Sequence, residues 1–209
     1  MIHWLWNHWL ELTGTGLSLV YLYLSVRENI WLWGTGFFSS LIYLIVFFDE
    51  RLYADMGLQV YYLIISVYGW LTWKMGRRAT GGNKMAIRRT GLRNGTLLFL
   101  IGAVLYFLVL LVLLKVPSLL EIPSSDLPYW DAFTTTGGII ATWMLARKYI
   151  EHWWIWIVVD AVSSGMYFYK GLIITVLLYL IYTFVAVVGF VEWKRNMLSR
   201  GKLDHNKSL

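Results

Sequence analysis

Long apolar runs separated by short polar stretches dominate the chain. At about 20 residues per membrane crossing they predict seven helices, near residues 6–26, 30–48, 53–73, 96–114, 129–147, 151–169 and 172–192. Within several of these, polar and aromatic residues recur at helical spacing. In the sixth helix Trp153, Trp156, Asp160, Ser164 and Tyr167 fall within roughly an 80° arc, while Ile155, Val158, Val162 and Met166 lie elsewhere. The third aligns Asp55, Gln59, Tyr62, Ser66, Gly69 and Trp73, and the seventh Thr175, Tyr179, Tyr182, Ala186 and Gly189. The first aligns Glu11, Thr15 and Ser18, and the fifth Asp131, Thr134, Thr135 and Gly138.

Small residues on membrane helices commonly serve close packing, and rings near helix ends form an interfacial belt, the role expected for Trp4, Trp6, Trp9, Trp130 and Trp193. Trp153 stands near enough to an end for either role. Glu11 and Asp131 lie near the outer surface, where solvation is the simpler reading. Asp160 is different. At about 1.5 Å per residue it sits roughly 14 Å from Glu151, near mid-membrane. A carboxylate there costs at least about 2.5 kcal/mol unless it faces a cavity, a partner or a cation.

Composition agrees with a membrane chain: 58% of the 209 residues are hydrophobic, 14% are charged, and the mean hydropathy is +0.59. Seven spans leave no room for a separate soluble domain. With no cysteine, disulfides and thiolate metal sites are excluded. The start, Met-Ile-His-Trp-Leu-Trp, lacks the basic n-region of a signal peptide, so the first helix is expected to remain in the mature protein.

The net charge of +6 reads as topology rather than as a nucleic-acid footprint. The basic loop, about 75–95, holds Arg77, Arg78, Lys84, Arg88, Arg89 and Arg93 without an acid and is expected in the cytoplasm; anionic lipid or nucleic acid is the alternative, disfavoured because no aromatics are interleaved. The loop 115–128, with Pro117, Pro123, Pro128, Glu121 and Asp126, is then external. Alternation places the amino terminus outside and the carboxyl terminus inside, and the tail 195–209 is polar and expected to fray.

Laying the first part of the chain on the last brings out an internal repeat. Glu11 meets Asp131, Arg27 meets Arg147, and Gly69, Trp73 and Lys74 meet Gly189, Trp193 and Lys194. A small slip of register then brings Ser39–Tyr43 onto Ser163–Tyr167. Two parallel three-helix repeats, about 6–74 and 129–194, are implied, joined by a linker helix at 96–114 that restores the orientation. This is transporter logic, with a site expected at mid-depth where the bundles meet.

The stripes nominate Trp153, Trp156, Asp160, Ser164, Tyr167, Gln59, Tyr62, Tyr179, Tyr182, Thr134, Thr135 and Thr15 as substrate-lining residues. Indole and phenol rings around a carboxylate suit a flat organic cation, held by stacking and cation–π attraction of about 0.5 to 2 kcal/mol per ring. The sixth-helix stripe carries no Lys or Arg to cradle a phosphate, so an unphosphorylated cationic heterocycle is expected. A retinal pump would need a deep lysine. A hydrolase would need a positioned histidine or paired acids, and His3, His8, His152 and His205 lie near ends or tails. No metal-ligand spacing and no cofactor motif occurs. A channel and a scaffold remain, the latter with no reason to bury Asp160.

Trp153-Trp-Ile-Trp156-Ile-Val-Val-Asp160 resembles the Trp-x-x-Trp-x-x-x-Asn signature of the Pnu-type vitamin transporters. The likeness extends through Pro128-Tyr-Trp130-Asp131, Ala146-Arg147-Lys148-Tyr149-Ile-Glu151 and Leu52-Tyr53-Ala54-Asp55…Gln59-Val60-Tyr61…Tyr68-Gly69-Trp70. The resemblance implies an all-α, three-plus-one-plus-three helix fold related to the SWEET sugar transporters. It also implies a homotrimer and alternating-access facilitated diffusion, with a separate cytoplasmic kinase trapping the vitamin by phosphorylation. Asp160 stands where the nicotinamide riboside branch typically has Asn. Tyr61-Tyr62, Thr134-Thr135-Thr136-Gly137-Gly138 and the high Trp and Tyr content are similar to the thiamine branch. Thiamine is therefore the expected substrate and nicotinamide riboside the alternative.

Overall fold

A computed structural model describes residues 9–49, 53–79, 84–121 and 123–207. They form α1 (Trp9–Val26), α2 (Trp31–Asp49), α3 (Tyr53–Ala79), α4 (Gly91–Leu120), α5 (Pro128–Ala146), α6 (His152–Tyr169) and α7 (Ile173–Lys207). Three are long and apolar enough to cross a membrane on length and composition alone: α2 through Trp31–Phe48, α4 through Gly91–Leu119 and α7 through Ile173–Arg200. α1, α3, α5 and α6 carry polar residues along one face, as the seventh helix also does within a longer apolar run.

Several helices outrun their hydropathic cores, for local reasons. Arg77 and Arg78 occupy the last turn of α3, where cations complement the negative end of the helix dipole. The linker expected at 96–114 runs from Gly91 to Leu120 and contains Pro117; Glu121, at φ 54°, ends it by donating its N–H to the Pro117 carbonyl. Pro128 opens α5, where a missing N–H costs no hydrogen bond, so the loop expected at 115–128 shrinks to 121–127. The tail expected to fray is helical to Lys207, because Met197, Leu198, Arg200, Lys202 and Leu203 are good helix formers.

The chain sorts into two compact units, Met1–Ala86 with Ala146–Lys148, and Ile87–Leu145 with Tyr149–Leu209. In the first, α1 packs on α2 and α2 on α3; in the second, α6 packs on α7. One contact recurs in both. Trp33 lies edge-on to Trp73, centroids 5.7 Å apart, and its ring closes over Gly69, where an added Cβ would come within 2.4 Å of it. Trp153 lies edge-on to Trp193 at 5.9 Å and closes over Gly189, where the gap would be 2.5 Å.

Each residue of the second group follows its counterpart by 120 positions. Burial keeps the same separation: Leu32, Trp33, Ser39 and Ser40 are buried on α2, and His152, Trp153, Val159 and Asp160 on α6. The anticipated slip of register pairs Ser39 and Ser40 with Ser163 and Ser164, which are buried as well; at the unslipped separation Ser40 stands opposite Asp160. Trp193 is also corrected. It is 0% exposed, packed against Trp153 and His152 instead of sitting in an interfacial belt. Trp130 is exposed as a belt residue would be, whereas Trp4, Trp6 and the side chain of Trp9 lie outside the described residues.

The glycine contacts lead to a direct test. Gly69→Ala and Gly189→Ala should each destabilise the protein by about 1–3 kcal/mol, because an indole held on all sides cannot retreat. Gly95→Ala, where a Cβ meets nothing within 4 Å, should be neutral or stabilise by up to about 1 kcal/mol. Unfolding midpoints of the three purified variants check both.

Candidate functional site

Two chain reversals define the first polar centre. After α1, Asn29 N–H donates to the Leu24 carbonyl at 2.9 Å with Glu28 at φ 52° between them; after α5, Tyr149 N–H donates to Met144 at 3.0 Å with Lys148 at φ 56°. Both are Schellman-type helix ends, whose left-handed residue is ordinarily glycine. Here the two residues carry opposite charges and face each other. Lys148 Nζ donates to Glu28 Oε2 at 2.6 Å, with the side chains 1% and 0% exposed.

The surroundings finish the arrangement within the first unit. Lys148 Nζ sits 4.3 Å from the centroid of the Trp73 ring, and Trp73 Nε1–H donates to the Ala146 carbonyl at 3.1 Å. The indole therefore supplies a cation–π face to the lysine and a hydrogen bond to the reversal that carries it. Neither Glu28 nor Lys148 belongs to the expected site. A signal was available: at the separation that pairs Arg27 with Arg147, the next residues are Glu and Lys, a charge inversion at equivalent positions.

In the second unit, Glu151 Oε2 accepts from the Thr90 backbone N–H at 3.0 Å and from its hydroxyl at 2.7 Å, while Ile150 N–H donates to the Arg88 carbonyl at 3.0 Å. One carboxylate thus satisfies the start of α4 from the residue preceding α6, where negative charge suits the helix dipole.

The expected substrate-lining residues separate into several environments. Asp160 and Ser164 are both buried, each 6% exposed, on the inner face of α6. Tyr167 stacks on Tyr179 at 5.1 Å and 26°, and Tyr179 meets Tyr182 edge-on at 5.6 Å. Trp156 is half-buried on the same helix. Trp153 is 1% exposed, and its ring is occupied by Gly189, His152 and Trp193, so in this structure it is a packing wedge rather than an open stacking platform. Thr134 spends its hydroxyl on the Trp130 and Asp131 carbonyls of its own helix, and Thr135 is half-buried.

In the first unit Gln59 and Tyr62 are half-buried on α3, with Tyr61 and Tyr62 rings 5.5 Å apart. The side chain of Thr15 lies outside those described, as does that of Glu11. Asp131 accepts a hydrogen bond from the Ser125 hydroxyl, so it serves the start of α5 as well as meeting solvent. Further polar contacts escaped the stripe reading. The Ser18 and Ser39 hydroxyls are 3.1 Å apart, and the Tyr21 ring lies against Gly36, where a Cβ would meet it at 3.0 Å. The tyrosine occupies the space in front of a glycine, a fit between helices that the residue pattern of a single helix does not carry.

Helices of this length and hydropathy that bury serines and a carboxylate among apolar neighbours are those of a polytopic membrane protein. The chain belongs to the nicotinamide mononucleotide transporter family, whose model matches residues 8–195. It is 27% identical over 213 residues to the nicotinamide riboside transporter PnuC of Escherichia coli strain K12, covering 92% of this chain and 88% of that one. It is 29% identical over 185 residues to the riboflavin/roseoflavin transporter RibM of Streptomyces davaonensis, covering 88% and 84%. The crystal structure of the vitamin B3 transporter PnuC shares the fold, with a TM-score of 0.66 at 20% identity over 92% of this chain and 83% of that one. The Pnu-type vitamin-transporter membership expected from sequence holds, and it is a family of transporters rather than of enzymes.

The buried ion pair is open to a charge-swap experiment. Glu28→Gln or Lys148→Met should each lower stability by about 3–5 kcal/mol, because the remaining charge is left buried without its counter-ion. The exchange Glu28→Lys with Lys148→Glu should recover part of the loss. Unfolding midpoints of the single and double variants, combined as a cycle, measure the coupling.

Proposed function

We propose that the protein takes up an unphosphorylated, positively charged aromatic vitamin, thiamine foremost, across the cell membrane by alternating-access facilitated diffusion. Asp160 carries this reading. No ion pair engages it among the described residues, and its equivalent Ser40 is equally buried, at 6% exposure, without a charge. A hydroxyl is thus enough for helix packing at this depth, so the acid of the second unit serves something other than packing. A permanent ring cation would supply the missing counter-charge, and Tyr167, Tyr179 and Tyr182 with Trp156 offer π faces on the same unit.

Nicotinamide riboside is the second reading, favoured by the PnuC relative; it too carries a cationic ring. A neutral flavin, the kind of ligand named for RibM, would leave Asp160 unmatched. The remaining features belong to the same proposal. They are two parallel three-helix repeats joined by α4, a homotrimer, an amino terminus outside with the basic segment in the cytoplasm, and a kinase that keeps flux inward by phosphorylating the vitamin. Gln59 and Tyr62 stand in the first unit at the positions equivalent to Tyr179 and Tyr182 and are proposed as binding residues of that unit.

Titration of the purified protein with thiamine, nicotinamide riboside and riboflavin, side by side, tests the substrate. Thiamine should bind tightest. Asp160→Ala should abolish its binding, while Trp156→Ala should cost about 1–3 kcal/mol, the scale of one stacking and cation–π platform. Unchanged thiamine affinity in Asp160→Ala removes the acid from recognition. Saturable, competitor-sensitive uptake into liposomes separates a carrier from a channel.

A further inference from the structure

We propose that the basic end of the first unit is a binding site for a phosphate group, borne by a soluble phosphate or by an anionic lipid headgroup. A cavity of about 160 Å³ is lined there by Glu28, Asn29, Trp73, Arg77, Lys84 and Lys148, among others. The lining carries three cations, Arg77, Lys84 and Lys148, against one acid, Glu28, so its net charge is positive however these groups pair. A second hollow of about 300 Å³ shares Arg77 and adds Lys74 and Arg78 with no acid.

The donors suit a tetrahedral oxyanion. Trp73 and Arg77 are one turn apart on α3 and face the same space, a ring wall beside a planar fork of N–H donors that matches phosphate geometry. Lys84 spends one N–H on the Arg27 carbonyl at 3.0 Å, and an ammonium has three. Asn29 accepts the Trp31 N–H on Oδ1 at 3.0 Å, which leaves its amide nitrogen to donate. The volume is several times the roughly 30 Å³ share of a water molecule in the liquid. Charge topology asks only that these cations lie on one side of a membrane. It does not ask that they surround a cavity with a tryptophan wall, the interleaved aromatic that the linear pattern of the loop lacks.

The site is independent of the vitamin reading, whose ligand is a cation. With the protein in a neutral detergent, inorganic phosphate should raise the unfolding midpoint saturably, and Arg77→Gln and Lys84→Gln should each weaken the apparent affinity about tenfold or more, the scale of a charge-assisted contact. Arg93→Gln, a cation on α4 outside the cavity lining, should leave it unchanged. That result identifies a soluble phosphate as ligand. If phosphate has no effect but native mass spectrometry finds phosphatidylglycerol retained by the wild type and by Arg93→Gln and lost from Arg77→Gln and Lys84→Gln, the headgroup is the ligand. Absence of both responses, or responses that survive both cavity substitutions, overturns the proposal. Lys84 is an exposed loop residue, so its variant does not depend on the fold tolerating a change on α3.

Discussion

Two charges that water scarcely reaches, on Glu28 and Lys148, meet inside the first unit. Removing a carboxylate and an ammonium from water costs several kcal/mol for each, and their attraction offsets this only with close geometry and further contacts. The Glu28–Lys148 pair has both, with a 2.6 Å hydrogen bond and the Trp73 face beneath the lysine. Each partner also occupies a left-handed backbone position that disfavours side chains by about 1–2 kcal/mol. A glycine would relieve that strain at either helix end, but it would leave the opposite charge buried and unmatched. The pair and the two backbone conformations therefore stand or fall together, which gives the interaction more to specify than a surface ion pair has.

The same residues organise the packing around them. Trp73 receives the lysine on its face, holds Ala146 through its N–H and meets Trp33 edge-on; Trp33 in turn fills the space over Gly69. In the second unit Trp153, Trp193 and Gly189 reproduce the ring-and-glycine half of this set, but His152 replaces the ion pair as the neighbour of the indoles. The Trp33 and Trp153 indole N–H groups are both buried without a hydrogen-bond partner, as is His152 Nε2. A buried orphan of this kind costs about 1–3 kcal/mol. Ring-on-glycine packing is thus retained in both units at the expense of two donors, which marks shape as the stronger constraint at this crossing.

Much of the fold was legible because it depends on periodicity. Apolar runs located each helix core among the described residues, and the pairs Gly69/Gly189 and Trp73/Trp193 carried the separation that the ring-on-glycine contacts keep. Helix ends were harder. Pro117 and the polar residues after Asn196 read as breakers or tail, yet both are helical, because local propensity and the Glu121 reversal decide an end and hydropathy does not. For the candidate site, the inward placement of Asp160 and the tyrosine cluster followed from arcs on single helices. An arc cannot tell a ring that lines a space from one that fills it, as the Trp153 ring fills the space over Gly189. Glu28 and Lys148 were missed because each looks like an ordinary charge at a helix end until the two reversals are placed together.

The contrast between Ser40 and Asp160 limits what kind of ligand the proposed transport can serve. An unmatched carboxylate at the centre of a membrane helix costs about 2.5–3.5 kcal/mol on insertion scales, whereas a serine carries no charge to desolvate. On the proposed reading, that cost is borne by the empty protein and relieved by a cationic ring. The acid then favours a cation over a neutral isostere through the penalty the neutral ligand leaves standing, in the way a polar site rejects an analogue that cannot pair with it. Aromatic faces alone would not discriminate so sharply, since every flat heterocycle offers a π surface to a tyrosine. Selectivity between a charged vitamin and a flavin would therefore reside in one carboxylate, and selectivity among charged vitamins in the shape of the rings around it.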